Sequence, residues 1–140
     1  MPTEIKVTMQ RFYEEVWNQG NLAAIDELLT PDFVDHGLPP GVPPNREGFK
    51  QFAAMYRQAF PDARLTVEDL IIEGDKAVAR WSATGTHQGA LMGIPATGRK
   101  INISGIDVGR FVGGKWAEHW GNFDALGMMQ QIGVVPAPGQ

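Results

Sequence analysis

The chain changes period once along its length. Up to about residue 60 its apolar residues recur at every third or fourth position, and from residue 63 they alternate with polar ones. Over 3–19, Ile5, Met9, Phe12, Tyr13, Val16 and Trp17 make one helical stripe, and Gly20 suits the stop. Asn21 is placed to cap a short second helix with Leu22, Ile25, Leu28 and Leu29 on its apolar side and Pro31 just past its end. "DFVDHG" reads as a brief extended piece. Asn45 then caps a third helix that carries Phe49, Phe52, Ala53 and Tyr56 on one face, and Pro61 closes it.

Four alternating runs follow: "ARLTVEDLIIEG", "DKAVARWSATGTH", "RKINISGIDVGRFV" and "KWAEHWGNF", with turn-like "EGDK" and "VGGK" between neighbours. Helical spacing returns after Asp124, at Leu126, Met129 and Ile132, and predicts a last short helix. Helices first and an antiparallel sheet afterwards predict an α+β fold. No repeat, low-complexity tract or long linker divides the chain, so one domain over 1–140 is expected.

The Gly113–Gly114 pair between two alternating runs is a hairpin turn and implies a register. With Val112 opposite Lys115, the partners become Phe111 with Trp116, Gly109 with Glu118, Asp107 with Trp120, Gly105 with Asn122 and Ile103 with Asp124. All of these share one face. The opposite face then carries Arg110, Val108, Ile106, Ala117, His119 and Gly121, unless a bulge shifts the pairing.

The first face combines large aromatic rings, an isoleucine, two glycines and three carboxylates. Burying an unpaired carboxylate costs several kcal/mol. That residue set therefore predicts a concave face around a partly hydrated pocket, with a solvated face bearing aromatic rungs as the alternative. Asp107 is assigned to the pocket and Glu118 to the rim or surface. The other face suits a second covering layer or a subunit interface, and a homodimer is the expected assembly. His119 on that face reads as hydrogen-bonded packing. Trp81 and Trp120 read as pocket wall, each with an indole N–H to offer, and His87 as a rim residue at the end of its strand. Asp124 either caps the last helix or points into the pocket and moves protons.

Composition narrows the chemistry. Twelve basic against sixteen acidic residues, a formal charge of -4 over 140 residues, disfavour a nucleic-acid or anionic-membrane binder. The absence of cysteine removes disulfides, thiolate nucleophiles and cysteine-based metal centres. No apolar run approaches the roughly 18 residues of a membrane span, and 1–20 lack the order of a secretory signal, so a cytoplasmic location is expected. His36, His87 and His119 show no metal-ligand spacing, and no metal is expected. There is no "GxSxG", and the glycines of "GALMGIPATG" do not lead a strand into a helix. A serine-hydrolase elbow and a phosphate loop are both disfavoured.

"RWSATGTHQGALMGIPATGRKINISGIDVGRF" followed by "GKWAEHWGNFDALGMMQQIG" resembles the SnoaL-like polyketide cyclase family of the NTF2-like superfamily. The likeness runs from "FYEEVWNQGNLAAIDELLTPDFVDH" to "QQIG". It implies an NTF2-like cone, a curved antiparallel sheet wrapped around a pocket with N-terminal helices. It also implies a cofactor-free enzyme that closes a ring in a polyketide ester by intramolecular aldol condensation, with an aspartate as acid/base.

The family's catalytic aspartate falls at Asp124 here. By the same likeness, Asp107 stands where relatives carry a pocket histidine, and Asp35, beside His36, where they carry an asparagine. Two aspartates facing one pocket could share a proton, which keeps isomerase, dehydratase and epoxide-hydrolase chemistry open beside cyclisation, with non-catalytic binding of a small molecule as a third reading. The candidate set is Asp124 and Asp107 for catalysis, with Asp35, His36, Trp81, His87, Trp120, Asn122 and Ile103 around a hydrophobic carbonyl or aromatic polyketide-like substrate.

Overall fold

The helical stripe at the start of the chain forms α1 (Pro2–Arg11), which runs on as a π-helical segment, Phe12–Asn18, in a computed structural model that describes residues 2–136 and 138–139. The wider turn closes with Gln19 N donating to Glu14 O at 2.9 Å, and it turns Phe12, Tyr13 and Val16 inward. The second helix, α2, is Ala24–Leu28. No side chain caps it; Asn21 contributes its carbonyl to Ala24 N instead.

The extended piece is longer than the sequence suggests. Strand β1 is Leu29–Asp35 and contains Pro31, whose missing N–H is tolerated at a sheet edge beside an irregularity between Leu29 and Val34. Helix α3 (Arg46–Ala59) is capped as expected, with the Asn45 side chain accepting from Gly48 N at 3.0 Å.

Strands β2 (Arg64–Glu73), β3 (Lys76–Thr86), β4 (Lys100–Val112) and β5 (Lys115–Phe123) follow, and α4 (Ala125–Gln131) ends the order. The curved, unclosed sheet has the order β1-β5-β4-β3-β2. The four strands read from the sequence pair antiparallel as expected, and the extended piece β1 joins them in parallel along β5. That parallel edge pairs Asp35 with His119.

Two apolar clusters fill the concave side. One joins the N-terminal helices to the sheet through Met9, Phe12, Val16, Ile25, Phe49 and Trp116; the other gathers Phe60, Leu91, Ile101, Met128 and Ile132 under α4. Each fully buried side chain of this size contributes roughly 1.5–3 kcal/mol.

The hairpin turns at Gly113 and Gly114, with φ of +58° and +79°, and pairs Val112 with Lys115 and Phe111 with Trp116 as expected. The next pair is Arg110 with Glu118, so Ala117 is an extra residue in β5. Trp116 and Ala117, adjacent in sequence, are both buried, at 1% and 4% exposure, which strict alternation does not permit. Beyond the bulge every residue of β5 changes face. Gly109 pairs with His119, Val108 with Trp120, Asp107 with Gly121 and Gly105 with Phe123. His119 and Gly121 therefore face inward with Asp107, and Glu118 and Trp120 face outward, the reverse of the sequence expectation.

Candidate active site

With the bulge in place, β5 turns His119 toward β4, and the imidazole is held at both nitrogens. Nε2 lies 2.8 Å from Asp107 Oδ1, and Nδ1 lies 2.9 Å from Asp35 Oδ2. The other oxygens of both carboxylates are also engaged. Tyr13, from the π-helical segment, donates its hydroxyl to Asp107 Oδ2 at 2.7 Å, and Gly37 N donates to Asp35 Oδ1 at 2.8 Å. The Phe49 and Trp116 rings meet the imidazole edge-on and fix its plane, with centroids at 6.5 and 5.5 Å.

This chain of hydrogen bonds is complete only if both ring nitrogens carry protons, because carboxylates accept and do not donate. Burial alone would push the His119 imidazole down; hydrogen bonds to Asp107 and Asp35, and their charges, outweigh it and raise the group from 6.5 to about 9. Burial, followed by the nearby Asp107 charge, pushes the Tyr13 hydroxyl well above the usual phenol range, so it remains a donor. Side-chain exposure is 14% for His119, 13% for Asp107 and 1% for Asp35. Of these three, His119 and Asp107 offer the larger surface to a substrate.

The close approach of this pair needs a bare backbone beside it. A Cβ at Gly121 would stand 2.7 Å from Asp107 Oδ1 and 2.8 Å from His119 Nε2. The cluster opens into a cavity whose walls are mainly apolar, with Phe49, Phe52, Tyr56, Phe60, Trp81 and Phe123 among its lining residues. An apolar wall of this kind strengthens the electrostatics of the polar groups in it.

Of the residues singled out from the sequence, Asp107, Asp35, Trp81, Ile103 and Asn122 line this cavity. Four others lie outside the lining. Asp124 is exposed at the N-cap of α4, where its carboxylate accepts from Gly127 N at 2.8 Å. Trp120, turned outward by the bulge, stacks on His36 with centroids 5.0 Å apart, and His36 in turn meets Glu118 at 2.6 Å on the outer face. His87 is fully buried beside Phe60, its Nδ1 accepting from Thr97 N.

Sequence reasoning missed His119 and Tyr13. The adjacent apolar pair Trp116–Ala117 is the trace of the bulge that could have found His119; Tyr13 looked like one more core residue of the helical stripe. Among the described residues no His, Asp or Glu trio is set out as a metal site, and no helix is long and apolar enough to cross a membrane.

Known proteins share this fold. A family model described as SnoaL-like polyketide cyclase matches residues 7–132. The nogalonic acid methyl ester cyclase of Streptomyces nogalater is 29% identical over 119 residues, which cover 84% of this chain and 89% of that protein. Among solved structures, TsrD from Streptomyces laurentii superposes with a TM-score of 0.86 at 32% identity, covering 95% of this chain and 97% of its own. IdmH from Streptomyces antibioticus does so with a TM-score of 0.80 at 35% identity, covering 92% and 98%. The fold is the NTF2-like one, and the chain belongs to the SnoaL-like polyketide cyclase family.

Proposed function

We propose that the protein is a polyketide cyclase that closes a carbocycle by intramolecular aldol addition on a hydrophobic, polyketide-like carbonyl substrate. The observation that carries this reading is the His119 imidazole held between Asp107 and Asp35 at the wall of an apolar cavity. An imidazolium beside a carboxylate supplies an acid and a base.

The Asp107 carboxylate takes the proton from an acidic carbon flanked by carbonyl groups. The carbanion attacks a ketone of the same molecule, a C–C bond forms, and the carbonyl electron pair moves onto oxygen. The His119 imidazolium gives that alkoxide its proton. Transfer from Asp107 back to Nε2 across 2.8 Å restores both groups, so the reaction is a net isomerisation. The relative from Streptomyces nogalater is named for a methyl ester substrate, and an aromatic polyketide ester with an activated methylene suits the cavity of this chain.

The reading includes a homodimer. Ile71, Val78, Val108 and Trp120 form one rung across the outer sheet face by register, with Ile106 beside it. Ile71 is 63% exposed and Ile106 49%.

The test is incubation with an aromatic polyketide methyl ester bearing a 1,3-dicarbonyl arm, with mass spectrometry to find a ring-closed isomer of unchanged mass. Asp107→Asn and His119→Gln should each lower turnover on the order of 10² to 10⁴-fold. A wild-type protein that makes no isomer, or variants that match it, would sink the reading.

A further inference from the structure

We propose that Trp81 is the hydrogen-bond donor for the substrate's carbonyl oxygen, the atom that becomes an enolate oxygen when the neighbouring carbon is deprotonated. The inference rests on the acid/base reading of Asp107 and His119.

Trp81 lines the cavity from β3. Its indole Nε1 is buried and has no hydrogen-bond partner among the described residues. A buried N–H without an acceptor is costly, and such groups are rare in folded proteins. A phenyl ring would furnish the same apolar wall without that cost, so the N–H calls for an acceptor that arrives with a ligand. Within the resting cluster the donors are engaged, Tyr13 with Asp107, Gly37 N with Asp35 and both nitrogens of His119 with carboxylates, and the His119 proton is the one given to the alkoxide.

Register puts Trp81 in reach of the reacting atoms. Ala79 pairs with Asp107 and Trp81 with Gly105, so Trp81 is the diagonal neighbour of Asp107 on the inner face, a spacing of roughly 7–8 Å that a long aromatic side chain spans. The indole lies against Gly105, where a Cβ would be 2.2 Å from Cζ2 and 2.6 Å from Cε2. Without that Cβ the ring can lean over β4, its Cε2–Cζ2 edge against the backbone.

As the C–H bond breaks toward Asp107, the electron pair moves onto the adjacent carbonyl oxygen, two bonds from the carbon. A donor aimed there stabilises charge that exists only as the reaction proceeds. The substrate class narrows accordingly, to flat carbonyl compounds whose enolisable carbon and its carbonyl oxygen bridge Asp107 and Trp81.

The test uses ¹⁵N-labelled protein, which has four indole N–H signals, with 1-hydroxyanthraquinone as the probe. Trp81→Phe identifies its own signal by deletion, and the three remaining indole signals report whether that variant is folded. If it is not, nuclear Overhauser contacts to Gly105 identify the signal in the wild type. Probe binding should move the Trp81 indole proton downfield. Trp81→Phe should weaken binding of the probe about 2- to 10-fold and lower turnover about 10²- to 10³-fold.

A Trp81 signal that stays still, whether the probe shifts other residues or none, overturns the inference. So does full turnover in a folded Trp81→Phe while Asp107→Asn is impaired, an outcome that leaves the cyclase reading standing. Full turnover in Asp107→Asn removes the acid/base reading instead, and then the inference falls with it.

Discussion

His119 Nε2 stands 2.8 Å from Asp107 Oδ1 because β5 holds one residue more than β4 between the hairpin turn and that pair. Without Ala117 as the extra residue, the imidazole would project from the convex face beside Arg110 and Val108, and Trp120 would face Asp107. The bulge converts a hairpin of ordinary sequence into an acid/base pair. β1, joined in parallel to the far edge of β5, then supplies Asp35 to the second nitrogen.

This pairing makes stability depend on pH in a defined window. His119 titrates at 6.5 when unfolded and about 9 when folded, a raised value, so its contribution is fully present below 6.5 and is lost as pH rises through about 9. A shift of this size corresponds to roughly 3 kcal/mol. Unfolding free energies from urea titrations at pH 6 and pH 10 should diverge for the wild type by about that amount more than for His119→Gln. Parallel pH dependence in the two proteins would mean that the imidazole is not charged in the fold.

Gly121→Ala tests the geometry without touching either partner. The new methyl would have to displace both Asp107 Oδ1 and His119 Nε2, which it would approach to 2.7 and 2.8 Å, while the rest of the strand keeps its pairing. Misplacement by about 1 Å can cost on the order of 10²-fold in rate. Turnover should therefore fall by about that factor with the circular dichroism spectrum unchanged. A fully active Gly121→Ala would show that the pair tolerates separation.

Much of the fold was legible because it rests on local signals. The helical stripe at Met9, Phe12 and Val16, the Asn45 cap, the alternation of the four long strands and the Gly113–Gly114 turn all act over a few residues, and all appear where the sequence put them. The site was less legible because it depends on counting across the turn. One inserted residue flips an entire strand, so an error at Ala117 moved His119 out of the pocket and Trp120 into it. The parallel β1 edge had no local mark either. It depends on where the chain returns after α2, and with it went the partnership of Asp35 and His119.

Asp124 can be separated from this cluster by its two simplest variants. Its carboxylate caps α4 through Gly127 N and does not line the cavity. Asparagine caps about as well, so Asp124→Asn should leave both melting temperature and turnover near wild type, while Asp124→Ala should cost about 1 kcal/mol of stability. A loss of turnover of 10²-fold or more in Asp124→Asn, with the fold intact, would return the catalytic role to this aspartate.

The outer face carries its own test. A homodimer through the rung from Ile71 to Trp120 should bury on the order of 1,200 Å² or more in total. Light scattering at micromolar concentration should then give twice the mass of the chain. Ile106→Lys, at a position 49% exposed in the single chain, should fold normally and give one chain mass. A wild-type protein that scatters as one chain rules the dimer out.

Tyr13 is the most indirect member of the cluster, and its removal separates positioning from packing. The residue is 3% exposed and its ring packs edge-on against Phe12 at 5.2 Å, so Tyr13→Phe keeps the apolar contacts and deletes only the hydroxyl that donates to Asp107 Oδ2. Loss of a hydrogen bond to a charged acceptor should lower stability by about 1.5–3 kcal/mol. A purely structural hydroxyl would have no further effect. If Tyr13 instead shares the Asp107 charge, its loss leaves more of that charge facing His119, and the imidazolium holds its proton more firmly. The alkaline limb of the activity profile, set by His119 near 9, should then move to higher pH in the variant. Stability lowered with that limb unmoved would confine Tyr13 to packing.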